Sequence, residues 1–373
     1  MIFTVFAAPA DPSLQWRAQL LEYSWQRAHQ PGELVRLTPT PPGSSAPAHS
    51  KAVVKQTLAW NPHPYTNDEY AGYDTPSAVM EWLFRDRVEG SVLLLGLNSV
   101  LHSAVTEEVS PGKVLAAAWP DMPTGEGPFG LAMNLKFLEC YCVNRELALA
   151  PVQLPILIHT SDLRKIAPRW AELTAIIRSE GRDTHGALGC ADRIAYALAA
   201  AEYRLLHAHS DLRNGTDDET GSAPVTDYSR AVESARGEIV WDEQVYEPWS
   251  AVYPEKAKPG RGRDFLALLN EYATRRQSGA DLAAKRPLRR SGVRESRVLE
   301  DMHLEVPGYT EFVTLNSSAA SIWELCDGRR TLAQIVAELG QLFDAPRETL
   351  QTAVESTAAE LVAAGALEVE DLS

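Results

Sequence analysis

The sequence has few cysteines and no cysteine pair of the metal-binding type. Its 373 residues contain four cysteines, Cys140, Cys142, Cys190 and Cys326, and none of them forms a Cys-x-x-Cys motif. We therefore predict free thiols in a reducing cytoplasm. A metal site at Cys140 and Cys142 would need His or carboxylate ligands from elsewhere in the chain.

The sequence also lacks a basic surplus and long apolar runs. Lys and Arg number 35 against 50 Asp and Glu, which gives a formal net charge of −15. This balance argues against nucleic acid and anionic membranes as partners. No apolar run reaches the length of a membrane-spanning helix, and the first residues lack the basic region of a signal peptide. Hydrophobic residues make up 45% of the chain, enough for cores in two domains.

Patterns typical of strands and helices alternate over residues 1–275. Residues 2–8 and 91–95 are strand-like, and the apolar run at 91–95 is typical of a strand buried on both faces of a sheet. Helical periods lie between them, and this order predicts an α/β domain. Residues 276–292 contain several Lys and Arg but few large apolar residues, so we predict a linker there. Residues 293–373 are predicted to form a second domain.

The C-terminal region changes from strand patterns to helix patterns. Short strand-like runs occur at 296–300, 303–306 and 310–315. Asn316, Thr331 and Pro346 are placed to begin three helices. The apolar positions of the last two helices are Leu332, Ile335, Val336, Leu339 and Phe343, then Leu350, Val354, Leu361 and Val362. Three strands followed by three helices predict a small winged-helix-like α+β domain.

The run from Leu315 to Gly328 resembles the signature of PqqD-like domains, which are also called RiPP recognition elements. Members of that family bind the leader segment of a ribosomally made precursor peptide. The resemblance implies that the peptide adds as a strand beside the third strand and packs on the third helix. By position, it implies a peptide-binding set of Glu311, Phe312, Val313, Thr314, Leu315, Arg347, Leu350, Gln351, Val354 and Ala358.

Two other interpretations of this domain remain. A winged helix can bind DNA, but the acidic net charge and the scarcity of Lys and Arg in the second helix disfavour it. The apolar positions can also serve the core alone. For Phe312 the core and the binding interpretations stay open, because neighbouring strand residues point to opposite faces.

Three blocks of the first 275 residues carry a second resemblance. They are 15–25, 75–95 and 155–170, the last followed by 192–197. Together they resemble the peptidyl hydroxyproline arabinosyltransferases of plants, which have a nucleotide-sugar fold of the GT-A type. The resemblance implies a GT-A-like mixed sheet flanked by helices.

The chain departs from that family where a metal would bind. The transferases carry an acidic motif after the buried strand, because a divalent ion held by carboxylate neutralises the leaving diphosphate. The matching positions here are Gly96, Leu97, Asn98 and Ser99. Asn98 offers at most one neutral oxygen. Asp192 matches an acidic position of the family, but a capping or surface carboxylate is favoured over a catalytic base. His207 and His209 are a weak metal candidate, since on a helix the pair would diverge.

We therefore predict no catalytic residue, no metal ligand and no cofactor. The leading hypothesis is a pseudoenzyme in ribosomal peptide biosynthesis, which binds the precursor leader peptide and presents it to a modifying enzyme in a heteromeric complex. An iron-dependent oxidative enzyme is one candidate for that partner. The alternative is an active peptide glycosyltransferase that recruits its substrate through the C-terminal domain. A DNA-binding regulator with a sensor domain is the third class.

Overall fold

The structure is a computed structural model that describes residues 1–40, 50–118, 150, 152–179, 187–209, 212–215, 223–229, 231–246, 248, 250, 252–278, 285–298, 301–307 and 312–371. They divide into an N-terminal unit that extends to Leu269 and a C-terminal unit that begins at Asn270. Cys140 and Cys142 lie outside the described residues. Within the described ranges, no helix has both the length and the apolar character needed to cross a bilayer.

A mixed sheet forms the centre of the N-terminal unit. The first eight strands of the chain are β1 (Ile2–Ala7), β2 (Glu33–Thr40), β3 (Val53–Leu58), β4 (Ser91–Leu95), β5 (Ser99–Leu101), β6 (Lys113–Ala118), β7 (Val152–His159) and β8 (Leu206–His209). All except β5 join this sheet, in the order β3-β2-β1-β4-β7-β6-β8. Strands β1 to β4 are parallel, whereas β7 runs antiparallel to β4 and β6.

Helices cover both faces of this sheet. They are α1 (Gln15–Arg27), α2 (Asp74–Arg85), α3 (Thr160–Ser179) and α4 (Ala191–Glu202). Successive strand residues point to opposite faces. Phe3 and Val5 pack in the core that contains Trp82 of α2, whereas Phe6 packs in the core that contains Leu21 of α1. The mixed sheet flanked by helices that the sequence predicts is confirmed.

Smaller elements follow β8 along the chain. They are β9 (Arg213–Gly215), β10 (Val225–Asp227), β11 (Val232–Glu233), β12 (Ile239–Trp241) and α5 (Arg261–Ser278). Strand β10 pairs antiparallel with β5 and parallel with β9, and β11 pairs with β12. Strands β4 and β5 are separated only by Gly96, Leu97 and Asn98. This turn therefore lies at the carboxyl ends of the parallel strands, where ligands of open α/β sheets bind.

The C-terminal unit contains the predicted three strands and three helices, together with one further strand before them and one after them. Its elements are β13 (Lys285–Arg289), β14 (Arg294–Val298), β15 (Asp301–Glu305), β16 (Val313–Leu315), α6 (Ser317–Leu325), α7 (Leu332–Leu342), α8 (Arg347–Ala363) and β17 (Leu367–Asp371). Strands β14, β15 and β16 form an antiparallel sheet in that order. The three helices pack on it around one hydrophobic core.

Local sequence signals set the helix boundaries of this unit. The Asn316 side chain accepts a hydrogen bond from the Ala319 N–H at 2.9 Å, and Thr331 forms a capping box with Gln334. The predicted apolar positions of α7 are buried, with one exception. Phe343 is 41% exposed, because α7 ends at Leu342 and an extended backbone turns Phe343 off the helical face. Val362 is likewise exposed, since its neighbour Leu361 takes the buried position.

Residues 285–289 form strand β13 within the segment 276–292 for which the sequence predicts a linker. This strand pairs antiparallel with β17, the last strand of the chain. Arg286 lies 3.8 Å from Glu370, and Arg290 lies 4.0 Å from Glu368. The basic composition that indicated a solvated linker instead complements an acidic strand about 80 residues further on.

Candidate functional site

Among the residues that the structure describes, strand β16 is an edge strand of the three-stranded sheet. Its register with β15 pairs Val313 with Leu304, Thr314 with His303, and Leu315 with Met302. An edge strand offers backbone N–H and C=O groups to a further strand. A peptide strand can pair only with those residues of β16 whose backbone groups point away from β15.

The hairpin between β14 and β15 determines which residues of β16 these are. Two residues separate the paired Val298 and Asp301, and a two-residue connection closes on a pair that exchanges backbone hydrogen bonds. Backbone groups alternate in direction along a strand. Residues 301, 303 and 305 therefore bond to β14, and residues 302 and 304 bond to β16. On β16, Val313 and Leu315 bond to β15, and Thr314 directs its N–H and C=O to the open edge.

Side chains agree with this register. Thr314 Oγ1 lies 3.1 Å from His303 Nδ1, the close approach expected of a pair that does not exchange backbone hydrogen bonds. Phe312 is 65% exposed, and its ring meets the His303 ring edge-on at 6.3 Å. The Leu315 side chain points the other way and is buried. Thr314, His303 and Phe312 thus share the outer face of the sheet, and sequence reasoning missed His303 because it lies on the neighbouring strand.

The predicted residues of helix α8 fall into two groups. Arg347, at its first position, is exposed. Leu350, Gln351, Val354 and Ala358 are buried, and the three apolar ones belong to the hydrophobic core. The Gln351 amide donates to Glu355 Oε1 at 3.1 Å. Contact of α8 with a peptide stays a prediction. Glu311 lies outside the described residues.

In the N-terminal unit, Asn98 of the predicted degenerate metal motif contacts an arginine and a glutamate that sequence reasoning missed. Arg17 Nη1 of α1 donates to Asn98 Oδ1 at 3.1 Å. Asn98 Nδ2 donates to Glu243 Oε2 at 3.1 Å. Glu243 Oε1 faces Arg17 Nη2 as an ion pair at 3.0 Å. The three side chains thus close a ring of polar contacts, which we call the Arg17–Asn98–Glu243 triad.

Aromatic side chains hold the turn that carries Asn98. The Tyr228 N–H donates to the Asn98 carbonyl at 3.0 Å, and the Tyr228 hydroxyl donates to the Leu97 carbonyl at 3.3 Å. The Tyr228 ring is buried and stacks on Phe265 with centroids 4.6 Å apart. Trp16, next to Arg17, packs 6.0 Å from the Tyr228 ring. The triad is therefore fixed by packing on two sides.

The triad does not fit a divalent metal ion. Such an ion is held by several oxygen ligands, which usually include carboxylates. Here the Glu243 carboxylate is paired with Arg17, and the neutral oxygen of Asn98 already accepts from the same guanidinium. Arg17 keeps a positive charge beside both candidate ligands, and two cations repel each other at this range. Burial raises the pKa of Glu243, and Arg17 opposes that rise. Among the described residues, no group of three His, Cys, Asp or Glu side chains is arranged to hold a metal.

Asp192 and His207 form hydrogen bonds with neighbouring aromatic side chains. The Tyr70 hydroxyl donates to the Asp192 carboxylate, and the Trp170 indole N–H donates to the Asp192 carbonyl at 2.6 Å. Burial raises the pKa of Asp192. These contacts favour a structural carboxylate at the start of α4 over a catalytic base. His207 lies on strand β8, not on a helix, with Nε2 3.2 Å from the Tyr196 hydroxyl.

Asp74, the first residue of α2, should make stability depend on pH. It is 6% exposed, and burial raises its pKa to about 6, although the Trp60 N–H donates to Oδ1 at 3.2 Å. A carboxyl with a raised pKa stabilises the fold below its unfolded pKa, and that stability is lost as pH rises through about 6. We expect Asp74→Asn to raise the free energy of unfolding at pH 7 by up to ~3 kcal/mol, with little effect at pH 4.

Urea denaturation at pH values between 4 and 7 measures this difference. Asp86→Asn is the matched control, because Asp86 also lies at an end of α2 but is only half-buried beside Lys55. Removal of the Asp86 carboxylate should change the free energy of unfolding by less than about 1 kcal/mol at every pH. An identical pH slope in the wild type and in Asp74→Asn would show that Asp74 does not titrate as its burial requires.

Comparison with known proteins gives one family-model match and one curated relative. Residues 302–367 match the family model of coenzyme PQQ synthesis protein D, PqqD. A curated relative, the peptidyl serine alpha-galactosyltransferase of Arabidopsis thaliana, is 24% identical over 220 residues, which are 56% of this chain and 26% of the relative. The chain thus spans about a quarter of that relative's length. The predicted resemblance to PqqD-like domains is confirmed. The predicted resemblance to plant peptidyl hydroxyproline arabinosyltransferases is confirmed only at the level of plant peptide glycosyltransferases, because this relative is a peptidyl serine galactosyltransferase.

Solved structures give similar neighbours at low overall similarity. TbiB1 in complex with the TbiA(beta) leader peptide is 16% identical and covers 22% of this chain and 94% of its own, with a TM-score of 0.21. The PqqD truncation of Methylobacterium extorquens PqqCD, a stand-alone RiPP recognition element, is 28% identical and covers 22% and 87%, with a TM-score of 0.20. Galactosyltransferase LgtC with donor and acceptor sugar analogues is 11% identical and covers 72% and 95%, with a TM-score of 0.45.

Proposed function

We propose that this chain is a non-catalytic partner protein in ribosomal peptide biosynthesis. Its C-terminal unit binds the leader segment of a precursor peptide, and its N-terminal unit is a transferase-like scaffold that docks the modifying enzyme. The observation that carries the proposal is the open edge of β16 within a region that matches the PqqD family model. Thr314 directs one donor and one acceptor there, which is what an added peptide strand requires.

Binding would use both the backbone and the side chains around this edge. An antiparallel or parallel strand can pair with the N–H and C=O of Thr314, and this pairing contributes affinity without sequence selectivity. Phe312, exposed beside His303, offers an apolar contact on the outer face of the sheet. Arg347 adds a positive charge at the start of α8, suited to an acidic peptide side chain.

A second candidate is an active peptide glycosyltransferase that recruits its own substrate. Its support is the 24% identity to a peptidyl serine alpha-galactosyltransferase. The Arg17–Asn98–Glu243 triad disfavours it, because an arginine ion pair lies where the family's acidic metal motif would stand. Activity would require a route to stabilise the leaving diphosphate without that motif.

Calorimetric titration of the full chain separates the two candidates. One titrant is a synthetic leader segment of a candidate precursor peptide, and the other is a panel of nucleotide sugars with Mn²⁺. The proposal predicts heat from the peptide and none from the nucleotide sugars. Nucleotide-sugar binding together with sugar transfer to the precursor would overturn it and assign the chain as a transferase.

A further inference from the structure

The Arg17–Asn98–Glu243 triad joins three distant parts of the N-terminal unit. Arg17 comes from α1, Asn98 from the turn after β4, and Glu243 from the segment after β12. The sequence separations are 81 residues for the contact of Arg17 with Asn98 and 145 residues for that of Asn98 with Glu243. One guanidinium therefore links oxygens from both segments, which is what a bound divalent cation does in a site built from separate loops.

We propose that the Arg17 guanidinium is a built-in cation that replaces a divalent ion at the end of β4 and excludes Mn²⁺ and Mg²⁺ from this site. This role of Arg17 lies within the N-terminal unit and does not depend on peptide binding by the C-terminal unit. Arg17 thereby supplies a specific positive group in the place of the metal ion.

The burial and geometry of the triad support permanent occupation of this site by the Arg17 guanidinium. The Arg17 side chain is 24% exposed and that of Glu243 is 11% exposed, so solvent screens the pair only in part. Arginine presents its donors in a rigid planar fork. Here one arm meets a carboxylate and the other meets an amide oxygen. A metal ion that entered would have to displace a guanidinium already paired with its ligands.

The test removes the Arg17 guanidinium and places a carboxylate at position 98. In the full chain, Arg17→Gln combined with Asn98→Asp leaves two carboxylates, at positions 98 and 243, without their internal positive charge. Hard divalent ions bind such oxygen pairs. We expect the electron paramagnetic resonance signal of free Mn²⁺ to fall by one ion per protein at pH 8 with this double variant. The wild type should leave the signal unchanged.

The single variant Asn98→Asp tests whether Arg17 by itself excludes Mn²⁺ from the site. Arg17 remains in place, so the new carboxylate should pair with the guanidinium and bind no Mn²⁺, with an unchanged or higher melting temperature. This variant keeps the test informative even where the double variant fails to fold. Arg87→Gln, a change of an exposed arginine in the same unit, combined with Asn98→Asp, controls for the altered net charge and should also bind no Mn²⁺.

Three results would overturn the proposal. One is stoichiometric Mn²⁺ binding by the wild type that Asn98→Ala abolishes. Another is Mn²⁺ binding by Asn98→Asp with Arg17 intact. The third is a folded double variant that binds no Mn²⁺. None of these outcomes bears on leader-peptide binding at β16, so the two proposals fail or stand separately.

Discussion

Replacement of Thr314 by proline is expected to abolish leader-peptide binding while the C-terminal unit stays folded. Proline removes the backbone N–H that faces the open edge of β16 and adds bulk beside it. The bonds of Val313 and Leu315 to β15 are retained, and proline is tolerated on an edge strand whose N–H faces solvent. Loss of one bond that leaves a partner unsatisfied, together with the steric block, should weaken binding by at least about 100-fold.

Two control variants isolate the backbone effect. Thr314→Val keeps the N–H and removes only the hydroxyl near His303 Nδ1, so it should bind within a few-fold of the wild type. Val313→Pro removes a donor that faces β15 and should destabilise the unit instead. Calorimetry gives the affinities, and far-UV circular dichroism confirms folding. A Thr314→Pro protein that binds the leader segment with wild-type affinity would exclude strand addition at β16.

Truncation of Trp323 is expected to unfold the C-terminal unit locally. The side chain is 1% exposed in the core under β14 to β16. Its indole N–H donates to Glu295 Oε1 at 3.0 Å, and the Arg289 guanidinium lies 5.6 Å from the ring centroid. Trp323→Ala removes a large buried volume and should cost about 3–5 kcal/mol. That is a large share of the stability of a small unit.

Hydrogen exchange of residues 312–371 measures this loss without depending on tryptophan fluorescence. The matched variant is Trp323→Phe, which keeps most of the volume and loses the bond to Glu295. Because Glu295 is partly exposed and also accepts from Arg289, the lost bond should cost only about 0.5–1.5 kcal/mol. Exchange should accelerate strongly in Trp323→Ala and moderately in Trp323→Phe. Unchanged protection in Trp323→Ala would mean that the unit does not depend on this core.

Local signals made much of the C-terminal fold predictable. Asn316 and Thr331 cap helices where a side-chain acceptor precedes an apolar period, and Leu332 and Ile335 are buried as that period predicts. Such features depend on residues only a few positions apart, which a sequence displays directly. Phe343 fits the same period but lies beyond the helix end, because helix boundaries are less sharply encoded than helix faces.

The features that depend on contacts between distant parts of the chain could not be predicted from the sequence. The basic run at 285–289 becomes a strand only because the acidic strand at 367–371 returns beside it. The sequence predicts Asn98 as a degenerate ligand, but Arg17 and Glu243 contact it from α1 and from the segment after β12, which no local pattern indicates. The outward direction of Thr314 likewise depends on where the hairpin turns, since a shift of one residue would reverse every backbone group of β16.

Amide hydrogen exchange at Thr314 measures whether a peptide strand adds to β16. In the unliganded chain, the Thr314 amide should exchange fast, because it faces the open edge, whereas the Val313 and Leu315 amides are protected by β15. Addition of the leader segment should slow the exchange of the Thr314 amide selectively, measured by nuclear magnetic resonance on the full chain. Unchanged exchange at Thr314 under saturating peptide would show that no peptide strand pairs with β16.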